Sequence, residues 1–119
     1  MISFQFIIFV LVIHWLADFA LQTHEQAINK SKSVIPLLQH IGMYSAVWML
    51  VSTFLFDHPI KVIAFTFLTF ACHFMTDYVT SRVGKPFWEK GDTHNGFTVV
   101  GFDQILHYIQ LFGTYLLLK

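Results

Sequence analysis

The chain has 119 residues, of which 55% are hydrophobic, 18% aromatic and only 12% charged, and its mean hydropathy is +0.61. Soluble domains carry roughly 25% charged residues, so this composition lacks the polar surface of a water-soluble globule and, with so many apolar groups, cannot be a disordered chain. Seven Lys and Arg balance seven Asp and Glu, which excludes a strongly basic nucleic-acid binder, while seven His are many for so small a protein.

A membrane helix needs about 20 mostly apolar residues. Ile2–Leu21 is the first such stretch, interrupted by Gln5, His14 and Asp18. It has no Lys or Arg ahead of the apolar run and no small-x-small cleavage site, so it reads as a retained helix rather than a signal peptide. Val34–Phe56 is the second, with Gln39 and His40 near its start. Ile60–Val79 is the third, carrying His73 and Asp77 late, and Val99–Leu118 is the fourth, carrying Asp103, Gln104 and His107 early. The sequence therefore predicts a single all-α domain, a four-helix transmembrane bundle with helices over about 2–22, 34–56, 60–80 and 99–118. A soluble bundle would show a polar face, yet Phe65 to Phe70 and Met49 to Phe56 are apolar nearly all round. The single Cys excludes an internal disulfide and a CxxC-type zinc site.

Polar Thr23–Ser33, the tight Asp57-His58-Pro59 and the charged, Gly-containing Arg82–Gly96 are the expected loops. Lys30, Lys32, Arg82, Lys85 and Lys90 fall in the first and third, against Lys61 and Lys119 on the other side. The positive-inside rule then places those two loops in the cytoplasm and both termini outside it, N-out and C-out.

Spacing singles out a constellation inside these spans. His14 and Asp18 are four residues apart, as are His73 and Asp77, so each pair shares a helix face. The fourth span reverses the order, Asp103 then His107, on a helix that runs the opposite way. All three Asp thus lie nearer the cytoplasmic face, with the three His one turn, about 6 Å, deeper. His40 falls in the same half. Each Asp costs about 2.5–3.5 kcal/mol at a helix centre, and like charges held together force protonation. Layers of Asp and His are what a divalent cation stabilises, and mixed imidazole and carboxylate donors suit Zn first, with Mn, Fe or Ni also served. The seven donors His14, Asp18, His40, His73, Asp77, Asp103 and His107 exceed a closed four-ligand site, which fits two ions, or one ion plus catalytic groups.

The leading expectation is a metal-dependent hydrolase. One of Asp18, Asp77 and Asp103 would be left to act as general base toward a metal-activated water, and the substrate would be a lipid or a phosphorylated small molecule entering from the cytoplasmic leaflet. Gln22, Lys30, Arg82 and Lys85 are the weaker substrate candidates. The Arg82–Gly96 segment could close as a lid through Gly91 and Gly96, although a plain positive-inside loop is the simpler reading. Two rivals use the same residues: a metal-ion or proton carrier, with an oligomer supplying the missing path, and a polar network that only locks helices together. Gln104 points about 100° from Asp103 and suits an orienting or helix-contact role. Tyr44, Tyr78, Cys72, Trp15, Trp48 and Trp88 read as packing or interfacial groups, and His24, His58 and His94 as solvated loop residues.

The segments HWLADFALQ at His14–Gln22, HFMTDY at His73–Tyr78 and DQILH at Asp103–His107 resemble a family of small bacterial and phage integral-membrane proteins known only as a domain of unknown function. His40 after LLQ and Lys30 in NKSK fit the same spacing. The resemblance covers essentially the whole chain. It implies a multi-pass protein of the bacterial, or phage-host, inner membrane and leaves open a non-enzymatic phage membrane factor. A looser likeness links the chain to bacterial inner-membrane proteins described as metal-dependent hydrolases, an analogy of pattern only.

Overall fold

Ser3 starts the first helix by accepting the Phe6 backbone N–H on its hydroxyl at 3.2 Å. In the computed structural model, which describes residues 1–119, helix α1 spans Phe4–Trp15 and continues as a π-helical turn over Leu16–Ala20. A short α2, His24–Asn29, follows under a capping box in which Thr23 and Gln26 satisfy each other's backbone N–H. Helix α3 spans Val34–Leu55, α4 Pro59–Glu89 and α5 Thr93–Leu118. There are five α-helices and no strand.

The long loop expected over Arg82–Gly96 is a correction: α4 continues through Glu89 and α5 starts at Thr93, leaving only Lys90–Asp92 as a linker. The decisive local signals are Gly91, at φ +72, and Asp92, which caps α5 by accepting the Asn95 N–H. Gly84 and Pro86 do not break α4. Gly84 is buried facing Val99 of α5, and Pro86 sits in the last turn, where its missing N–H costs α4 a single hydrogen bond and only three helical residues follow. The first loop likewise contains a helix, α2.

Helix α4 packs against both α3 and α5, and the π-helical turn of α1 packs against α3. Phe6 of α1 meets Phe112 and Tyr115 of α5, closing the bundle at the end where Trp48, Phe56 and Phe65 also cluster. Two helices, α3 and α4, are long and apolar enough to cross a membrane. Phe4–Ala20 is apolar but shorter, and α5 is long but interrupted by Asp103, Gln104, His107 and Gln110. At 31 residues α4 is about 46 Å long, more than the roughly 30 Å hydrocarbon thickness.

Burial is inverted relative to a water-soluble bundle. Ten buried residues are polar or charged and nine are hydrophobic, while large apolar side chains such as Phe54, Ile63, Phe67, Met75, Phe102 and Ile109 lie exposed along the helices.

Candidate metal centre

Four helical segments aim polar side chains at one point. The π-helical turn carries Asp18 inward: its extra residue per turn is closed by the Leu21 N–H to Leu16 C=O bond at 3.0 Å. Such turns concentrate at functional positions. Helix α3 contributes His40, α4 His73 and Asp77, and α5 Asp103 and His107, all buried.

Asp18, His73, Asp77 and His107 each offer a ligand atom, and those atoms lie within 4.8 Å of one another. His40 flanks them on one side. Its Nε2 is 3.0 Å from Asp18 Oδ1, 3.2 Å from His73 Nε2 and 3.4 Å from Asp77 Oδ2. On the other side His107 Nε2 is 3.1 Å from Asp77 Oδ1 and 3.0 Å from Asp103 Oδ2. His73 Nε2 completes the set at 3.4 Å from Asp18 Oδ1 and 3.5 Å from Asp77 Oδ1.

These spacings decide what the cluster can do. Donors bound tetrahedrally at about 2.0–2.1 Å stand about 3.3–3.4 Å apart, and the contacts that His40 and His73 make with each other, Asp18 and Asp77 bracket that value at 3.0 to 3.5 Å. Hydrogen bonding alone satisfies the group less well. A ring nitrogen carries at most one hydrogen, yet His40 Nε2 faces three polar atoms. The Nδ1 atoms of His40 and His73 are buried without a partner, so Nε2 is the only polar outlet of either ring. The donor set therefore fits a divalent ion, and this buried Asp/His group can hold one.

His14, expected among the ligands, sits one step out. Its Nε2 is 2.6 Å from Gln104 Oε1 and its Nδ1 2.8 Å from the Tyr44 hydroxyl, while Asp18 Oδ2 is 3.5 Å away. Both ring nitrogens are thus engaged by neutral partners, an orienting rather than a ligating position. Gln104 also donates to Asp18 Oδ2 at 3.0 Å and Asp103 Oδ2 at 3.1 Å, tying α1 to α5. Thr80 of α4 donates to Asp103 Oδ1.

Above the cluster opens a cavity of about 500 Å³ between the π-helical turn, the α2–α3 segment, the C-terminal part of α4 and the start of α5. Asp18, Asp103 and Gln104 line it, together with Gln22, Lys30, Lys32, Lys85, Ser81 and Trp88. Lys30 reaches inward, placing Nζ 2.9 Å from Asp77 Oδ2. Burial pulls the Lys30 ammonium down, but the carboxylates of Asp77 and Asp18 more than offset this and hold its pKa above the ordinary value.

Residues 6–118 match the family model described as a protein of unknown function, DUF3307. The chain belongs to that family. No curated protein and no solved structure matches it.

The family match covers every residue of the cluster and cavity. Of the four substrate candidates, Gln22, Lys30 and Lys85 line the cavity. Arg82 is not part of that lining: its guanidinium stands 3.6 Å over the Tyr78 ring and donates to the Tyr78 C=O at 3.0 Å. It follows Tyr78 by four residues on a helix that the sequence reading ended too early. Sequence reasoning also underrated Tyr44 and Gln104, and it did not single out Thr80, Ser81 or Lys32. Tyr44 follows His40 by one turn on the same inward face, a signal that was present; the reach of Gln104 depends on how α1 and α5 cross, which no spacing reveals.

Proposed function

We propose that the chain is a four-span membrane protein whose Asp/His cluster binds a divalent metal, Zn in the first instance and otherwise Mn, Fe or Ni, and acts as a hydrolase on a lipid or phosphorylated substrate. The observation that carries it is the junction of cluster and cavity: Asp18 and Asp103 belong to the polar cluster and also line the cavity. A ligand in the cavity therefore comes beside the donors, as a metal-assisted reaction needs. The four-span reading is supported by the apolar outer faces of α1, α3, α4 and α5, whose large exposed side chains are at home in lipid and not in water.

Asp18, His40, His73 and Asp77 would hold one ion, and Asp77 with His107 and Asp103 has the composition for a second. A divalent ion supplies Lewis acidity toward a phosphoryl or carbonyl oxygen and lowers the pKa of water near it. Asp103 is the carboxylate best placed as general base. It lines the cavity, and Thr80 and Gln104 fix its orientation by donating to it. Asp77 does not line the cavity, and with contacts to His40, His73, His107 and Lys30 it serves as a ligand.

The test is hydrolysis by the purified protein in lipid nanodiscs of chromogenic phosphomonoester, phosphodiester and carboxylic ester probes, before and after chelation. Chelator-sensitive turnover of one class, lost in Asp103→Asn while the ion held by Asp18, His40, His73 and Asp77 is retained, is expected. Turnover that ignores chelation, or none of any class by metal-loaded protein, overturns the hydrolase.

A metal-ion or proton carrier is the second reading, and one observation favours it. Buried polar groups continue beyond the cluster, where Gln110 Nε2 donates to Thr69 at 3.1 Å and Thr114 at 3.2 Å. Gln110 Oε1, Ser45 Oγ and Trp48 Nε1 are buried there without partners. Metal or proton flux in proteoliposomes, with no hydrolysis, would select this reading.

A further inference from the structure

We propose that the cavity above the cluster binds an amphiphile bearing a phosphate group, with Lys32, Lys85, Gln22 and Ser81 taking the phosphate and the apolar lining residues taking the chain. The cavity lining is mixed in chemistry. Lys32 and Lys85 belong to it; Lys85 has only Glu89, at 3.7 Å, as a charge partner, and the ammonium of Lys30 is already committed to Asp77. Gln22 Oε1 and Ser81 Oγ, which belong to lining residues, are buried and make no hydrogen bond within the protein. Buried polar atoms in native proteins are almost always partnered, so a lining that holds two unpartnered ones together with two lysines suits a polar, anionic guest. The Ser81 hydroxyl can donate to a phosphate oxygen, and the Gln22 amide can turn its NH₂ toward one, since the two ends of an amide differ little in shape.

The lining is also apolar in part. Phe19, Ile28, Val99, Val100 and Trp88 belong to it, and Phe19, Ile28 and Trp88 remain exposed. The cavity thus offers both ammonium groups and exposed apolar side chains. A free inorganic phosphate would leave the apolar side chains uncovered, whereas an alkyl or acyl chain on the phosphate would cover them.

The assignment rests on the metal reading in one respect: Asp18 and Asp103 also line the cavity, and their carboxylates repel an anion unless a cation offsets them. The test uses the full chain in neutral maltoside detergent, with dodecyl phosphate, inorganic phosphate and dodecyl trimethylammonium as probes and binding followed by phosphorus NMR and calorimetry. Metal content is measured on the same samples. Dodecyl phosphate is expected to bind at least about tenfold more tightly than inorganic phosphate, through burial of its chain, and dodecyl trimethylammonium not at all. Lys32→Gln and Lys85→Gln should each weaken dodecyl phosphate by about tenfold and Ser81→Ala by about threefold, with metal content and thermal unfolding unchanged. Equal affinity for inorganic and dodecyl phosphate overturns the amphiphile. Metal-loaded variants that bind dodecyl phosphate like the parent overturn the phosphate site alone. A parent protein without metal overturns the reading beneath it, and hydrolysis assays do not enter either outcome.

Discussion

Lys30 Nζ lies 2.9 Å from Asp77 Oδ2, joining residues 47 positions apart and bringing a loop cation onto the carboxylate that touches most of the cluster. In that position the ammonium competes with a metal ion for the same oxygen and repels it. Lys30→Gln is therefore expected to raise affinity for a divalent ion by about tenfold, the worth of one charged hydrogen bond. Competition against a chromophoric chelator measures this. A fall in affinity would show instead that Lys30 supports the ligand geometry.

Asp77 is the hub of the cluster, with contacts to His40, His73, His107 and Lys30. Asp77→Ala leaves several buried charges or donors without a partner and should cost about 3–5 kcal/mol of stability, read as a lowered thermal midpoint in detergent, together with loss of bound metal. Retention of full metal content by a folded Asp77→Ala protein would remove Asp77 from the ligand set.

Tyr44 separates orientation from ligation. Its hydroxyl meets His14 Nδ1 at 2.8 Å, and its ring stacks on His73 with centroids 3.9 Å apart. Tyr44→Phe keeps the stack and strips His14 of one partner, so about 1–3 kcal/mol of stability should be lost while metal stoichiometry holds. Loss of metal in Tyr44→Phe would place His14 among the ligands after all.

The α4–α5 crossing is set by Trp88. A Cβ on Gly96 would stand 2.7 Å from Trp88 ring carbons, whereas one on Gly84 would meet Trp88 and Val99 at 3.5 Å, an ordinary contact. Gly96→Ala should destabilise by about 1–3 kcal/mol through overpacking, and Gly84→Ala should be close to neutral. Paired thermal unfolding curves check the contrast. Equal effects at the two positions would mean that Trp88 does not fix the crossing.

Much of the cluster was legible in the sequence, because a helix converts spacing four into a shared face. His14 with Asp18, His73 with Asp77 and Asp103 with His107 could be paired along their own helices before any fold was known. The pairings across helices could not. His40 with Asp18 at 3.0 Å and His107 with Asp77 at 3.1 Å depend on rotation and crossing of whole helices. Asp18 further depends on a π-helical turn that no residue pattern announces. After Val79, charge and glycine imitate loop signals, although Gly91 with Asp92 is the only complete stop-and-start signal there. The long α4 that results forms one wall of the cavity, which brings Ser81 into the lining where a loop would not.

A four-span arrangement puts both termini on one side of the membrane. Reporter fusions at Met1 and at Lys119 should both report the extracytoplasmic side, and a reporter at Gly91, in the linker between α4 and α5, the cytoplasm. Termini on opposite sides would reduce the spans to an odd number and remove one of the helices from the bilayer.

The most direct measurement is elemental analysis of the purified chain beside its His73→Ala and Asp77→Asn variants, each with its thermal unfolding curve. About one to two divalent ions per chain, lost from both variants, is the expected result. A parent chain that unfolds cooperatively yet holds no ion after mild purification, with variants of equal stability, would contradict the metal centre.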